Sequence, residues 1–361
     1  MEFFRSFSFT GGDASTAAAP SAEPPAAAPL PPTEEPTRAP PAAPLAAVDA
    51  PSLSSDEIKV LQETANFAEY GQVQERVLKY MRWRRDQAVS ENPAIAPSAE
   101  MASDARLMRF LIAKGFDCRG AAEMYIDALR WRREVGIDAY RDAIVAANAP
   151  FFTQGAPVLS ATCLHPRDHT LAQIQPCTYA KPSIDGLGQE LLLDRQGNLI
   201  YIDCPGLISP ADVIGFGVAE YTAASHTAQE MLMLLLDELS RRQGRLALTL
   251  RIIDMSEVRM VKFMQSKQEK EGERIVKEAR KPFADAYPTT TYKNFLINLP
   301  AAAGAAAPLI KAVVPARSAK KIVLLGSKFV DELHKEAEAQ MLPNMLGGVL
   351  DDGNQWQRRK K

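Results

Sequence analysis

The sequence predicts an α/β protein: a helical amino-terminal module followed by a domain on a mostly parallel sheet. Three observations carry that expectation. Up to about Ala149 the apolar residues recur only at helical spacing. Beyond it, short runs rich in β-branched and apolar residues alternate with helical stretches long enough to cross over a sheet. The last of those runs, Ile322-Val323-Leu324-Leu325, is apolar at every position, as a strand covered on both faces should be.

From about Asp13 to Pro51 the chain is dominated by Ala and Pro and offers little to bury, so residues 1–53 read as a disordered leader. Its Pro-rich runs suit a solubilising spacer or a ligand for a Pro-recognising partner domain. Ser54, Ser55 and Asp56 are capping residues ahead of Ile58, and apolar positions continue through Val73, Val77, Tyr80 and Met81. Asn92 to Pro97 breaks that pattern. Ser103-Asp104 then opens a helix carrying Leu107, Phe110 and Leu111, and Arg119 to Val135 forms another that Gly136 ends. This helical module is assigned to 54–145. Residues 146–350 carry the strands, expected at Asn198 to Asp203, Ala247 to Met255, Tyr292 to Asn298 and Lys321 to Leu325. Crossover helices are expected at about Pro210 to Arg242 and Glu257 to Ala286. A basic tail, 351–361, ends in Arg358-Arg359-Lys360-Lys361 and suits either solvent or anionic headgroups.

Lys plus Arg number 42 against 44 Asp plus Glu, a balance that argues against a protein coating nucleic acid. The four cysteines, Cys118, Cys163, Cys177 and Cys204, are widely spaced, which fits free thiols in a reducing compartment. No run offers the roughly 20 uninterrupted apolar residues a spanning helix needs. A cytoplasmic monomer with transient, peripheral contact to a membrane surface is the resulting expectation.

Signatures of catalysis are missing from the sequence: it has no phosphate loop, no nucleophile elbow and no paired-His zinc-protease helix. Gly215-Phe216-Gly217 begins like a dinucleotide fingerprint but lacks its last small residue and does not follow a strand directly. Cys163, His165, His169 and Cys177 have zinc-compatible spacing, but Pro166 and Asp168 give their segment the composition of a loop, so no metal is assigned. The expectation is a binding protein rather than an enzyme, without metal or cofactor.

The run Arg106-Leu107-Met108-Arg109-Phe110-Leu111 with its link Gly115-Phe116-Asp117, and the helix ending Leu129-Arg130-Trp131-Arg132, resemble the amino-terminal module of the CRAL-TRIO family. Further stretches follow in family order: Gly197 to Asp203, Ile252-Ile253-Asp254-Met255, Tyr287-Pro288 leading into Phe295 to Pro300, Lys321 to Ser327, and Leu342 to Gly348. The resemblance spans about residues 56 to 350. It implies a parallel sheet flooring an apolar pocket, helices as walls and a lid helix. It also implies one hydrophobic ligand, such as a phospholipid, transferred between membranes. A lipid-regulated scaffold recruiting partners through the leader is the alternative.

Carried over by position, the resemblance puts Lys114 and Glu278 at an inositol-lipid headgroup, while Ala305 and Pro308 stand where a hydroxyl and a lysine are expected and cannot bond phosphate. The lid would comprise Ala301, Gly304, Pro308 and Lys311, with Gly304 and Pro308 interrupting its hydrogen bonds. Lys114 equally suits a helix carboxyl end, and Glu278 a solvated charged face. Strand alternation puts Thr249, Arg251 and Ile253 on one face of Leu246 to Met255, the face that the resemblance implies is the pocket floor. Arg251 would then meet either a ligand anion or an internal carboxylate. Tyr201, on a strand resembling a choline-contacting one, suits ligand or core.

Overall fold

The computed structural model describes residues 47–63, 71–160, 177–184, 186–256, 258, 266–299 and 319–350. The first unit is helical: α1 (Ser55–Glu63), α2 (Gln72–Glu91), α3 (Asp104–Ala113) and α4 (Cys118–Val135). Its boundaries follow the expected caps. Ser54 Oγ accepts from Glu57 N–H at 3.2 Å while Glu57 accepts from Ser54 N–H, a reciprocal box that satisfies two otherwise orphaned amides. Ser103 caps α3 through Arg106 N–H, and Gly136, with φ 73°, closes α4 in the left-handed conformation. Leu78, Met81, Phe110 and Tyr125 fill the core between these helices.

Two boundaries move. Val48, Ala50 and Leu53, assigned to the leader, pack against that core, so its apolar contacts begin before residue 54. Helix α5 (Ile137–Ala147), assigned mostly to the module, buries Ile144 against the second unit together with Phe151 of α6 (Ala149–Thr153). Both exchanges follow buried apolar area rather than the proline and glycine punctuation from which the boundaries were read.

The second unit is a five-stranded sheet of β1 (Cys177–Thr178), β4 (Leu199–Asp203), β5 (Thr249–Asp254), β6 (Thr291–Ile297) and β7 (Ile322–Leu324), in that spatial order. The last four run parallel and β1 is antiparallel at the edge. A separate hairpin joins β2 (Ala180–Pro182) to β3 (Gln189–Leu191). All four expected strands form: β4, β5 and β7 are shorter than expected, and β6 is shifted one residue towards the amino terminus. The three short ones, of two or three residues, were not expected. Only Ile322 of β7 is fully buried, so cover on both faces holds for the central strands and not for this one.

Helix α7 (Pro210–Gln243) is capped by Ser209 and broken at Gly217, whose φ of 71° and ψ of 173° are outside any helix. The fingerprint-like Gly215-Phe216-Gly217 therefore lies inside a helix and not in a strand-to-helix turn. The second crossover is divided: α8 (Lys267–Arg280) opens with a capping box at Ser266, and α9 (Phe283–Ala286) begins after Pro282, which can donate no backbone hydrogen bond. Alternation along the strands divides the core. Ile200, Ile202, Leu250 and Ile252 point to a cluster completed by Leu333 of α10 (Val330–Glu336), while Leu199, Tyr201, Thr249 and Arg251 point towards α7 and α9.

Candidate functional site

A partly open cavity lies where that second face meets the helices. Its floor is Tyr201 and Asp203 of β4, Thr249 and Arg251 of β5, and the start of β6 with Thr290 before it. Its walls are Ser225, Ala228, Gln229 and Leu232 of α7, with Arg280 and Phe283 at the turn from α8 to α9. The parallel register puts Tyr201 beside Arg251.

The space is about 50 Å³, and most of its lining side chains carry polar atoms. Between the described residues this space holds a few water-sized groups, below the ~300 Å³ of a small-ligand pocket; the expected lid, which would complete an apolar chamber, lies outside the described residues. The floor is polar because β5 puts Thr249 and Arg251, not aliphatic residues, on this face.

Arg251 donates from Nε to Asp203 Oδ2 at 2.5 Å, and its guanidinium carbon stands 5.9 Å from the Tyr201 ring centroid. Burial pulls its pKa down, but the Asp203 carboxylate outweighs this and the net direction is up, so the group stays charged. Its two Nη groups have no hydrogen-bond partner among the described residues. The internal carboxylate weighed as an alternative is thus present, but it occupies only one of the three guanidinium nitrogens. Tyr201 donates to Cys177 Sγ at 3.1 Å and stacks on Tyr179 with centroids 5.9 Å apart. Burial drives its phenol pKa well above the usual value, so it stays a neutral donor. Thr249 Oγ1 lies 2.8 Å from Thr291 Oγ1 and donates to Thr290 O at 3.1 Å, tying β5 to β6.

Three of the five expected headgroup residues, Tyr201, Thr249 and Arg251, share this cavity. The other two do not line it. Lys114 is exposed at the carboxyl cap of α3, and Glu278 pairs with Arg274 one turn back on α8, each side chain 55% exposed. The expected lid residues Ala301, Gly304, Pro308 and Lys311, and Ala305 beside them, lie outside the described residues, as do Cys163, His165, His169 and the basic tail. Among the described residues no group of three or more His, Cys, Asp or Glu side chains could hold a metal. No helix among them is long and apolar enough to cross a membrane.

Arg280, Gln229 and Ser225 were not foreseen. Arg280 lies in a charged helical run whose pattern reads as solvated, yet as the last residue of α8 it lines the cavity.

Residues 191–348 match the family model described as CRAL/TRIO domain. That stretch is thus similar to a CRAL/TRIO domain. Every residue lining the cavity lies within it. The chain is 27% identical over 251 residues to the Sec14 cytosolic factor of Schizosaccharomyces pombe, covering 69% of this chain and 76% of the relative. It is 25% identical over 250 residues to the SEC14 cytosolic factor of Kluyveromyces lactis, covering 69% and 72%. The crystal structure of Sfh5 aligns with 80% of this chain and 86% of its own at 15% identity, with a TM-score of 0.46. The sequence matches reach beyond the CRAL/TRIO match, which by itself spans fewer residues than they do.

Proposed function

We propose that the chain binds one amphiphilic lipid over the sheet of its CRAL/TRIO-like domain and carries it between membranes. The supporting observation is the cavity between the parallel sheet and α7, floored by Tyr201, Thr249 and Arg251. An acyl chain of about 16 carbons gains on the order of 12 kcal/mol on leaving water. A bilayer supplies nearly the same, so extraction exchanges one apolar host for another and polar contacts decide which lipid is taken. The cavity takes a head but not a chain, so uptake requires the helical wall to separate from the floor. The break at Gly217 divides α7 into 210–217 and 218–243, and the cavity wall belongs wholly to the second part, which the break lets move apart from the first.

Peripheral membrane contact has its own support. Ile184 and Leu187, at the tip of the β2–β3 hairpin, are exposed at 102% and 82%. The tip is held by Ser183 N–H to Gly188 O at 2.8 Å and Gly188 N–H to Ser183 Oγ at 2.9 Å. Tyr179, immediately before the hairpin, stacks on Tyr201, so the base of this hairpin is anchored beside the cavity floor.

Native mass spectrometry of the purified chain, with lipid extraction, should give one lipid per molecule, and fluorescent phosphatidylcholine should pass between donor and acceptor vesicles faster than the uncatalysed rate. A chain carrying no lipid and giving no transfer would end this reading. Ile184→Asp with Leu187→Asp should weaken vesicle binding at least tenfold in co-sedimentation.

A further inference from the structure

Among the described residues the cavity is lined by more positive than negative charge. Arg251 and Arg280 both line it, one from the floor and one from the wall, and Asp203 is the only carboxylate among its described lining residues. Asp203 is engaged by Arg251 Nε. Glu278, the acidic residue nearest Arg280 in sequence, is engaged by Arg274 at 2.8 Å. Arg280 has no hydrogen bond or ion pair among the described residues, and neither do the two Nη groups of Arg251. The Gln229 side chain, also lining the space, is likewise unpartnered among them.

A buried guanidinium with unfilled donors, as at Arg251, is costly, and the half-buried Arg280 on the same pocket adds a like charge that repels it. A helix carboxyl end explains an arginine at position 280 in general terms, since the dipole favours a cation there. It does not explain why that arginine shares a cavity with Arg251, nor why the floor beneath is polar. An oxyanion between them accounts for both. It would accept from the Arg251 fork and from Arg280, with Gln229 as a neutral donor, and would offset the one excess charge.

We propose that this cavity is an anion clamp for the charged end of the ligand, a phosphate ester or carboxylate, held between Arg251 and Arg280. The proposal rests on lipid binding as read above and deepens it, because the ligand then lies head-inward on the sheet. About 50 Å³ suits a group of that size when the wall is closed, and not a hydrocarbon tail. The closed form is therefore the form that grips the head.

The test uses the full chain and phosphatidylcholine vesicles containing either phosphatidic acid or a diacylglycerol of the same acyl chains, which differ only in the phosphate. The wild type should take up phosphatidic acid at least tenfold more than diacylglycerol. Arg280→Met should bring that ratio towards one. Arg251→Met should do so too, and Arg251→Met with Asp203→Asn controls for the carboxylate that the single change strands in the protein. Equal uptake of both lipids by the wild type, or a ratio unmoved by Arg280→Met and by the double variant, would overturn the clamp while leaving lipid binding intact. Uptake of neither lipid, phosphatidylcholine included, would instead overturn the lipid reading. Calorimetry with inorganic phosphate separates the sources. Phosphate binding that the variants lose, without any lipid uptake, would show a site for free anions and overturn the head-inward ligand.

Discussion

His226 on α7 is buried to 4% exposure among rings: Trp131 at 5.5 Å and Phe283 at 5.6 Å between centroids, with Tyr140 beyond at 6.5 Å. Burial lowers its pKa from 6.5 to about 4, against the pull of Glu230. The sign follows from which state binds the proton. Between pH 6.5 and 4 the unfolded chain takes it up and the folded one does not, so stability falls with pH through that window. Urea unfolding at pH 7 and pH 5 should show a loss of about 1–2 kcal/mol from this residue, and His226→Gln should remove most of that difference. An unchanged pH dependence in the variant would place its origin elsewhere. None of this was visible in the sequence, where one histidine in a long helix has no pattern around it. The local caps were visible, because Ser54, Ser103 and Gly136 act on neighbours within a few residues.

Elements reveal a similar limit. Long strands and helices show as periodicity, and β4 to β6 fall within a residue or two of their expected ends. Strands of two or three residues cannot display a period, so β1 to β3 had no signal. The break in α7 was equally silent, since Gly215 and Gly217 together look like a motif and only the backbone tells them apart. Gly217 occupies a region that is essentially open only to glycine, and an added Cβ would meet no atom within 4 Å. Gly217→Ala should therefore cost about 1–3 kcal/mol through backbone strain alone, read as a lower urea midpoint. Gly215→Ala, at a neighbouring site of ordinary φ with no atom near its Cβ either, should leave stability unchanged or slightly raised. Equal effects at the two positions would contradict the break.

At the scale of the whole molecule, buried arginines fasten the helical module to the sheet unit. Arg132 of α4 forks onto Glu230 with both bonds at 2.8 Å. Burial raises the Glu230 pKa, but Arg132 overcomes this and the net direction is down, so the pair stays ionised. Arg106 donates to Asp237 from Nε at 3.0 Å and again from Nη2. Arg109 donates to Thr289 O at 2.8 Å and Ala247 O at 2.9 Å, and its Nε stands 3.5 Å from Asp237. Burial lowers its pKa to about 10, so it is charged at neutral pH. The sequence did show Arg106 and Arg109 as part of a family-like run. Their spacing of three on the face that also carries Phe110 was the available sign that they are buried, but their acceptors lie more than 130 positions away, where no local pattern reaches. Arg109 also holds the carbonyl just before Thr290 and Thr291, which places the module's support against the cavity floor.

Asp237 is the counter-charge to two buried guanidinium groups, and Asp237→Asn removes that charge while keeping the shape. Leaving both arginines uncompensated should cost about 3–5 kcal/mol in urea unfolding. The chain should still unfold in one transition, because the contacts of Trp131 with His226 and Tyr287 cross the same boundary. Replacing Arg106 by Met together with Asp237→Leu tests the account from the other side. With the closest pair exchanged for packed side chains, stability should recover part of the loss, since Arg109 keeps its two carbonyl acceptors. If Asp237→Asn instead separated the unfolding into two transitions, the module would be held by this charge cluster alone and the apolar seam would contribute little.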